Sequence, residues 1–291
     1  MKKIGNKIKQ NAKIVAAFLL GIALTGGTVY AATVLPSSQV GYDNSTSGLA
    51  ATDVQGALDE LYEKSERNCK PGFIYGITAD GYSCNHYNDY ITLTVKGDGT
   101  RTVLSEMFAG LPDKVIINGV FMDVAREYDF ADQNNIVTLV WDNAIDSTDS
   151  MFKDCSDITR IDLSSFDTSN VKNMAGMFYG ASSLTSLDLS NFDTSNVRIM
   201  NGMFSGASSL TSLDLSNWDT SSVRYMNYMF NNASSLTSLD LSNWDTSSVV
   251  SMNGMFSGAN PNLQVTINCE NTNLIDQING DLGSGHYTCA N

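Results

Sequence analysis

The side chains able to do chemistry are few and widely spread. The 291 residues hold two histidines, His86 and His286, five cysteines and 31 carboxylates. A catalytic nucleophile, a hydrolytic zinc or a phosphate cradle needs particular residues at fixed short spacings. The sequence has no His-Glu-x-x-His, no Gly-x-Ser-x-Gly, no Gly-Lys-Ser/Thr loop and no Cys-x-x-Cys pair. The two histidines stand at opposite ends of the foldable part. A glycosidase would need only two carboxylates, but in a cleft. The sequence predicts no enzyme, no cofactor and no metal centre.

What the chain does have is chemistry in columns, each residue type returning every 26 positions. Asp162, Asp188, Asp214 and Asp240 make one column, and Asp167, Asp193, Asp219 and Asp245 another. Two readings are open for them. Asp and Ser side chains accept turn N–H groups, and carboxylates are hard oxygen ligands suited to calcium, although no Gly-rich calcium nonapeptide is present. The columns of methionine could offer soft thioethers to copper, but they sit at core spacing beside Phe and read as packing.

A third set of columns is variable. Lys172, Arg198, Arg224 and Val250 share one column and Asn173, Ile199, Tyr225 and Ser251 the next, while Tyr179 and Tyr228 replace Ser and Gly. Positions free to vary do not fill the interior. Arg and Tyr are over-represented among interface anchors, so Lys172, Arg198, Ile199, Arg224, Tyr225 and Tyr228 are the candidate partner-binding residues. Drift on a solvated edge is the alternative.

The elements that position these columns follow from the repeat itself. Ile158, Leu184, Leu210 and Leu236 each open a 26-residue unit, preceded by a looser turn from 136 to 157. Within the second unit Leu184, Leu187, Leu189, Phe192, Val197, Met200, Met203 and Phe204 are apolar and keep apolar counterparts in every copy. Burying eight side chains does not offset the entropy of ordering 26 residues, so one copy cannot fold alone. Stacking lets each copy share its interior with two neighbours. The expected fold is a β-rich α/β solenoid of stacked 26-residue coils, leucine-rich-repeat-like, over 136–267. Leu-Asp-Leu is its expected strand and Met-x-x-Met-Phe a short helix or tight turn, with 268–291 as a C-terminal cap. Such a ladder offers a flat wall.

The unit Leu210-Thr211-Ser212-Leu213-Asp214-Leu215-Ser216-Asn217-Trp218-Asp219-Thr220-Ser221, closed by Met226-x-x-Met229-Phe230, closely resembles the BspA-like leucine-rich-repeat surface proteins. The resemblance covers about 136 to 267. It implies an exported bacterial protein acting in adhesion to host or neighbouring-cell components, with no catalytic residues to carry over. Many members of that family end in a wall-attachment signal, which this sequence does not show.

Ahead of the array, residues 69–135 carry strand signals and read as a small β domain. Tyr90–Val95 alternates and is expected to turn at Gly97-Asp98-Gly99 into Thr100–Leu104. Val115–Ile117 is expected to turn at Asn118-Gly119 into Val120–Met122. Cys69 with Cys84 and Cys269 with Cys289 are plausible local disulfides, free buried thiols being the alternative. Cys155 aligns with Ala181, Ala207, Ala233 and Ala259 and is expected to pack as a small core thiol. Residues 33–68 read as a stalk, with a short amphipathic helix over about 53–65 opened by Thr52-Asp53-Val54-Gln55. Its apolar stripe calls for a partner, either the next domain or the same helix in another chain, which would make a homo-oligomer.

Residues 1–32 read as a signal peptide or uncleaved signal anchor. Lys2, Lys3, Lys7, Lys9 and Lys13 precede an uncharged run from Ile14 to Ala32. Such a leader places the rest of the chain outside the membrane, on the cell surface of a bacterium or beyond it. Without those five lysines, 12 of the 17 basic residues remain against 31 acidic ones. That balance disfavours nucleic acid, whose binders carry a basic footprint. The sequence therefore points to an adhesin for a protein or glycan on a host or bacterial surface. A structural spacer or assembly subunit is the alternative, and membrane contact is expected only through the leader.

Overall fold

The computed structural model describes residues 73–78, 81–87 and 89–290. The leader, the stalk helix and Cys69 lie outside them. The chain divides into two compact units. Of the described residues, one holds those up to Tyr87 with Ile116–Met122, and the other those from 89 to Val115 and from Asp123 onward.

In the first unit, β1 (Phe73–Thr78) pairs antiparallel with β2 (Gly81–His86), Phe73 opposite His86 and Thr78 opposite Gly81. Ile77 bridges Val120 of β6 (Val120–Met122) in parallel. The hairpin expected at Asn118-Gly119 is present: β5 (Lys114–Ile117) neighbours β6 in the sheet. Asn118 and Gly119 have φ of 48° and 79°, as a turn of the primed type requires.

In the second unit, β3 (Tyr90–Lys96) carries Ile91, Leu93 and Val95 on one fully buried face. The expected hairpin from β3 into Thr100–Leu104 does not form. β3 instead lies between β8 (Asn134–Val140) and β9 (Ile158–Asp162), antiparallel to both. Beyond the glycines, β4 (Gly99–Thr102) pairs with β7 (Glu127–Phe130). The reason is that Lys96 donates to Asp157 and Gly97 to Gln133. Both edges of β3 are thereby occupied before the chain turns.

The copies do share one interior. All eight core residues of the second copy are buried, and so are their counterparts apart from the Val197 position of the fourth copy, Val249, which is half-buried. Two aromatic files run through them. Phe152, Phe178, Phe204, Phe230 and Phe256 stack at centroid spacings of 6.0, 5.7, 5.7 and 5.6 Å. Phe166, Phe192, Trp218 and Trp244 follow at 6.5, 6.5 and 6.4 Å. Such pairs contribute about 0.5–1.5 kcal/mol each beyond area burial.

The backbone ladder lies mainly on the side not expected to hold it. Met-x-x-Met-Phe forms turns rather than a helix. Met174, Gly176, Phe178 and Gly180 donate their N–H groups to Ile199, Asn201, Met203 and Ser205 of the next coil at 2.8–2.9 Å. The alternate donors stay local, as Tyr179 to Gly176 and Ala181 to Phe178. This alternation needs left-handed backbone twice per coil, at Gly176 (φ 58°) and Gly180 (φ 67°) and again at their counterparts.

On the Leu-Asp-Leu side the ladder is partial. β9 belongs to the sheet with β3, the second copy has no strand there, and the third is joined by the bridge of Ser212 to Ser238. Only the last turns form a parallel sheet, with β11 (Gln264–Ile267) between β10 (Ser238–Leu241) and β12 (Tyr287–Cys289). Side chains stitch the rest. Thr168, Thr194 and Thr220 are buried and donate to the carbonyls of Asp193, Asp219 and Asp245 at 3.2, 2.9 and 3.0 Å.

The C-terminal cap completes the array. Helix α1 (Thr272–Asp281) buries Leu274 and Ile278, and Asn271 caps it by accepting from Leu274 N–H. Asp281 Oδ2 accepts from Phe256 N–H at 2.9 Å, where a further coil would have offered a carbonyl. Cys269 and Cys289 form a disulfide, Cα atoms 5.3 Å apart. Among the described residues no helix is long and apolar enough to cross a membrane.

Candidate partner-binding edge

The repeat sorts its charges by segment. Four of the eight aspartates of the four copies lie in the Leu-Asp-Leu segments and four at the Asp-Thr-Ser turns that follow, whereas the segments 172–181, 198–207, 224–233 and 250–259 contain no acid; the preceding coil, stacked on the first of them, carries Asp146, Asp149 and Asp154. The aspartates are used by the turns. Asp162, Asp188, Asp214 and Asp240 accept from the N–H two residues on, at Ser164, Ser190, Ser216 and Ser242, each at 3.0 Å. Asp167, Asp193, Asp219 and Asp245 do the same with Ser169, Ser195, Ser221 and Ser247 at 2.8–3.0 Å. Serine side-chain and then backbone hydrogen bonds hold Asp188, Asp193, Asp214 and Asp245 below the usual carboxylate range.

The segments without acids bring the sequence-predicted residues together. Lys172 donates its N–H to Asp146, Arg198 to Lys172, Arg224 to Arg198 and Val250 to Arg224, at 2.8–2.9 Å. Asn173, Ile199, Tyr225 and Ser251 form successive parallel bridges in the adjoining column. Three cations therefore rise one per coil, about 4.7–4.9 Å per step for hydrogen-bonded chains. Their side chains are exposed, and the ion pairs among the described residues, Arg101 with Asp157 and Lys114 with Asp142, lie elsewhere.

Aromatic and aliphatic groups flank the cations. Tyr225, Tyr228 and Val250 are 38, 55 and 66 % exposed. Tyr179, a departure from the repeat not counted among the candidates, is 41 % exposed and has Lys153 Nζ 5.1 Å from its ring centre. These four are the large exposed hydrophobic residues of the repeats, all within the segments 172–181, 224–233 and 250–259. Tyr228 stands in the column of Gly176, Gly202 and Gly254, and it keeps their left-handed backbone at φ 58°. The sequence shows a glycine replaced by tyrosine; the backbone strain that goes with it is visible only in the structure.

The wall is not flat throughout. Where β9 leaves the array to pair with β3, a groove of about 410 Å³ opens, lined by Thr92, Thr94, Arg160, Asp162, Asp188 and Asn191 among others. Sequence reasoning missed it because nothing in the repeat announces that its first strand is taken by another sheet.

Cys155 and His286 have structural surroundings. Cys155 is buried, and burial, with the nearby Asp154 and Asp157 charges, pushes its thiol up to about 12. A thiol so placed is not a thiolate nucleophile at neutral pH. His286 Nδ1 lies 3.0 Å from the Leu263 carbonyl in the cap. Among the described residues no three His, Cys, Asp or Glu side chains converge as a metal site.

Residues 97–194 match the family model described as a BspA type leucine rich repeat region, and residues 146–268 match one described as a Mycoplasma protein of unknown function, DUF285. No curated protein and no solved structure matches the chain.

Proposed function

Since its repeat region is of the BspA-like leucine-rich-repeat type, we propose that the chain is an exported surface protein of a bacterium that binds a macromolecule on a host or neighbouring cell. Binding rather than catalysis is its task, and the array works as a solenoid whose coils hold the recognition residues in register. The observation that carries this reading is the edge of Lys172, Arg198 and Arg224 beside Ile199, Tyr225 and Tyr228. Cations and exposed rings are kept together there on a chain of net charge −14, in repeat segments that carry no acid of their own. Arg and Tyr supply much of the energy of many interfaces, and a local cationic field steers an acidic partner despite the net charge.

The lysine-rich start of the sequence and its apolar run support export. The test is a pull-down from extracellular-matrix and epithelial extracts with the full chain and with Arg198, Arg224, Tyr225 and Tyr228 all replaced by Ser. The wild type captures a partner and the variant does not, at equal thermal stability. Equal capture by both would leave the edge without a role, and no capture by either would favour a spacer.

A further inference from the structure

The binding edge is periodic, and two of its three exposed tyrosines, Tyr179 and Tyr228, are laid along the direction of the repeat. A Cβ on Gly254 would meet Cε1 and Cδ1 of Tyr228 at 2.6 and 2.8 Å, so the Tyr228 ring reaches across to the glycine of the next coil. Tyr179 does the same one coil step from its own, its Cδ2 standing 3.5 Å from the corresponding point on Gly202. Both rings remain substantially exposed, and the Tyr228 ring rests on a backbone conformation that bulky residues avoid. Strain at an exposed ring with no place in the core points to a role on the outside.

Resting on the binding role argued above, we infer that this edge takes an acidic polysaccharide lying along the stack, its sugar faces against Tyr179 and Tyr228 and its anionic groups against Lys172, Arg198 and Arg224. A chain of repeated sugars presents charge at regular intervals, as the cations do. Aromatic rings offer the apolar C–H face of a pyranose a surface, with polar groups at the rim. Arg meets sulfate or carboxylate with paired donors. Sulfated and uronate-bearing glycans share this chemistry.

The test passes the full chain over immobilised heparin, polygalacturonate, neutral dextran and poly-glutamate at about 0.15 M salt, where distant charges are screened. Retention on one or both acidic glycans is expected, with none on dextran and little on poly-glutamate. Heparin or polygalacturonate preference tells sulfate from carboxylate. Arg198→Ser with Arg224→Ser should weaken retention about tenfold or more, the loss of two charge-assisted contacts. Tyr228→Gly restores the column's residue, so it should fold with an unchanged or higher thermal midpoint yet bind several-fold more weakly. Failure to bind either glycan, equal retention on poly-glutamate, or a Tyr228→Gly variant that binds normally would each overturn the inference. If the four-serine variant loses a partner from extracts while the chain ignores both glycans, the binding role stands and the acidic-polysaccharide inference falls.

Discussion

Trp218 and Trp244 stack with their ring planes 2° apart and centroids 6.4 Å apart, yet neither indole N–H has a hydrogen-bond acceptor. Both are buried. In the same column the first two copies carry Phe166 and Phe192, which bring the ring without the donor. An orphaned buried donor costs about 1–3 kcal/mol, which offsets much of the extra area an indole buries. Trp218→Phe and Trp244→Phe should each change stability by less than about 1 kcal/mol in denaturant unfolding, far below the ~3–5 kcal/mol of removing a buried aromatic outright. Phe204→Ala, which breaks the parallel file beside them, should show that larger loss.

Asp89 sets a pH dependence. It is 8 % exposed; Oδ1 accepts from Asp167 N–H at 3.1 Å and Oδ2 has no partner. Desolvation, against the backbone bond and with the Asp167 charge adding to it, raises its pKa to about 6. The folded chain therefore holds this proton where the unfolded chain, near the ordinary ~3.9, has lost it. Stability from this group is greatest below about pH 4 and declines as pH rises through about 6. Asp89→Asn keeps the acceptor and removes the titration. Its thermal midpoint should gain on the wild type as pH goes from about 4 to 7, and a constant difference would refute the assignment.

The aspartates of the repeat turns act in the opposite sense. Asp188, Asp193, Asp214 and Asp245 have lowered pKa values, so their contribution is present above the ordinary carboxylate range and disappears as acid protonates them. Because each already accepts turn N–H groups, no cation is required to hold the columns. A chelator should leave the melting temperature unchanged at neutral pH, and a fall on chelation would point to bound calcium.

Asp281 ends the ladder. Its Oδ2 receives both Phe256 N–H and Gln277 Nε2, at 2.9 and 2.7 Å. Asp281→Ala leaves the N–H of a buried phenylalanine unpaired, a loss of about 1–3 kcal/mol. Hydrogen exchange should show that loss first as faster exchange at Phe256, and unaltered exchange there would contradict the capping role.

The interior was legible because it is written four times. Every position from Leu184 to Phe204 assigned inward is buried, and Cys155 packs where its alignment with alanines put it. The ladder was not legible, since alternation in Leu-Asp-Leu marks which side chains face in but not which strand lies alongside. For the same reason Gly97-Asp98-Gly99 announced a turn without saying that β3 would take β8 and β9 as partners. The Met-x-x-Met-Phe segment has no strand periodicity at all; its cross-coil bonds arise from left-handed backbone, at glycines in most copies and at Tyr228 and Asn232 in the third. At the candidate edge the columns could be read, while the strain at Tyr228 and its reach over Gly254 depend on backbone angles that residue types do not specify.

Amide hydrogen exchange over the repeats tests the shared ladder most directly. Phe178, Phe204 and Phe230 donate to Met203, Met229 and Met255 at 2.8–2.9 Å, so their amides should exchange slowly and together, near the global unfolding rate. The exposed serines of the aspartate turns, such as Ser195 and Ser221, whose amides donate only to the solvent-exposed carboxylates of Asp193 and Asp219, should exchange sooner. Independent, fast exchange of the three phenylalanine amides would mean that the copies do not hold one another, and Lys172, Arg198 and Arg224 would then share no common edge.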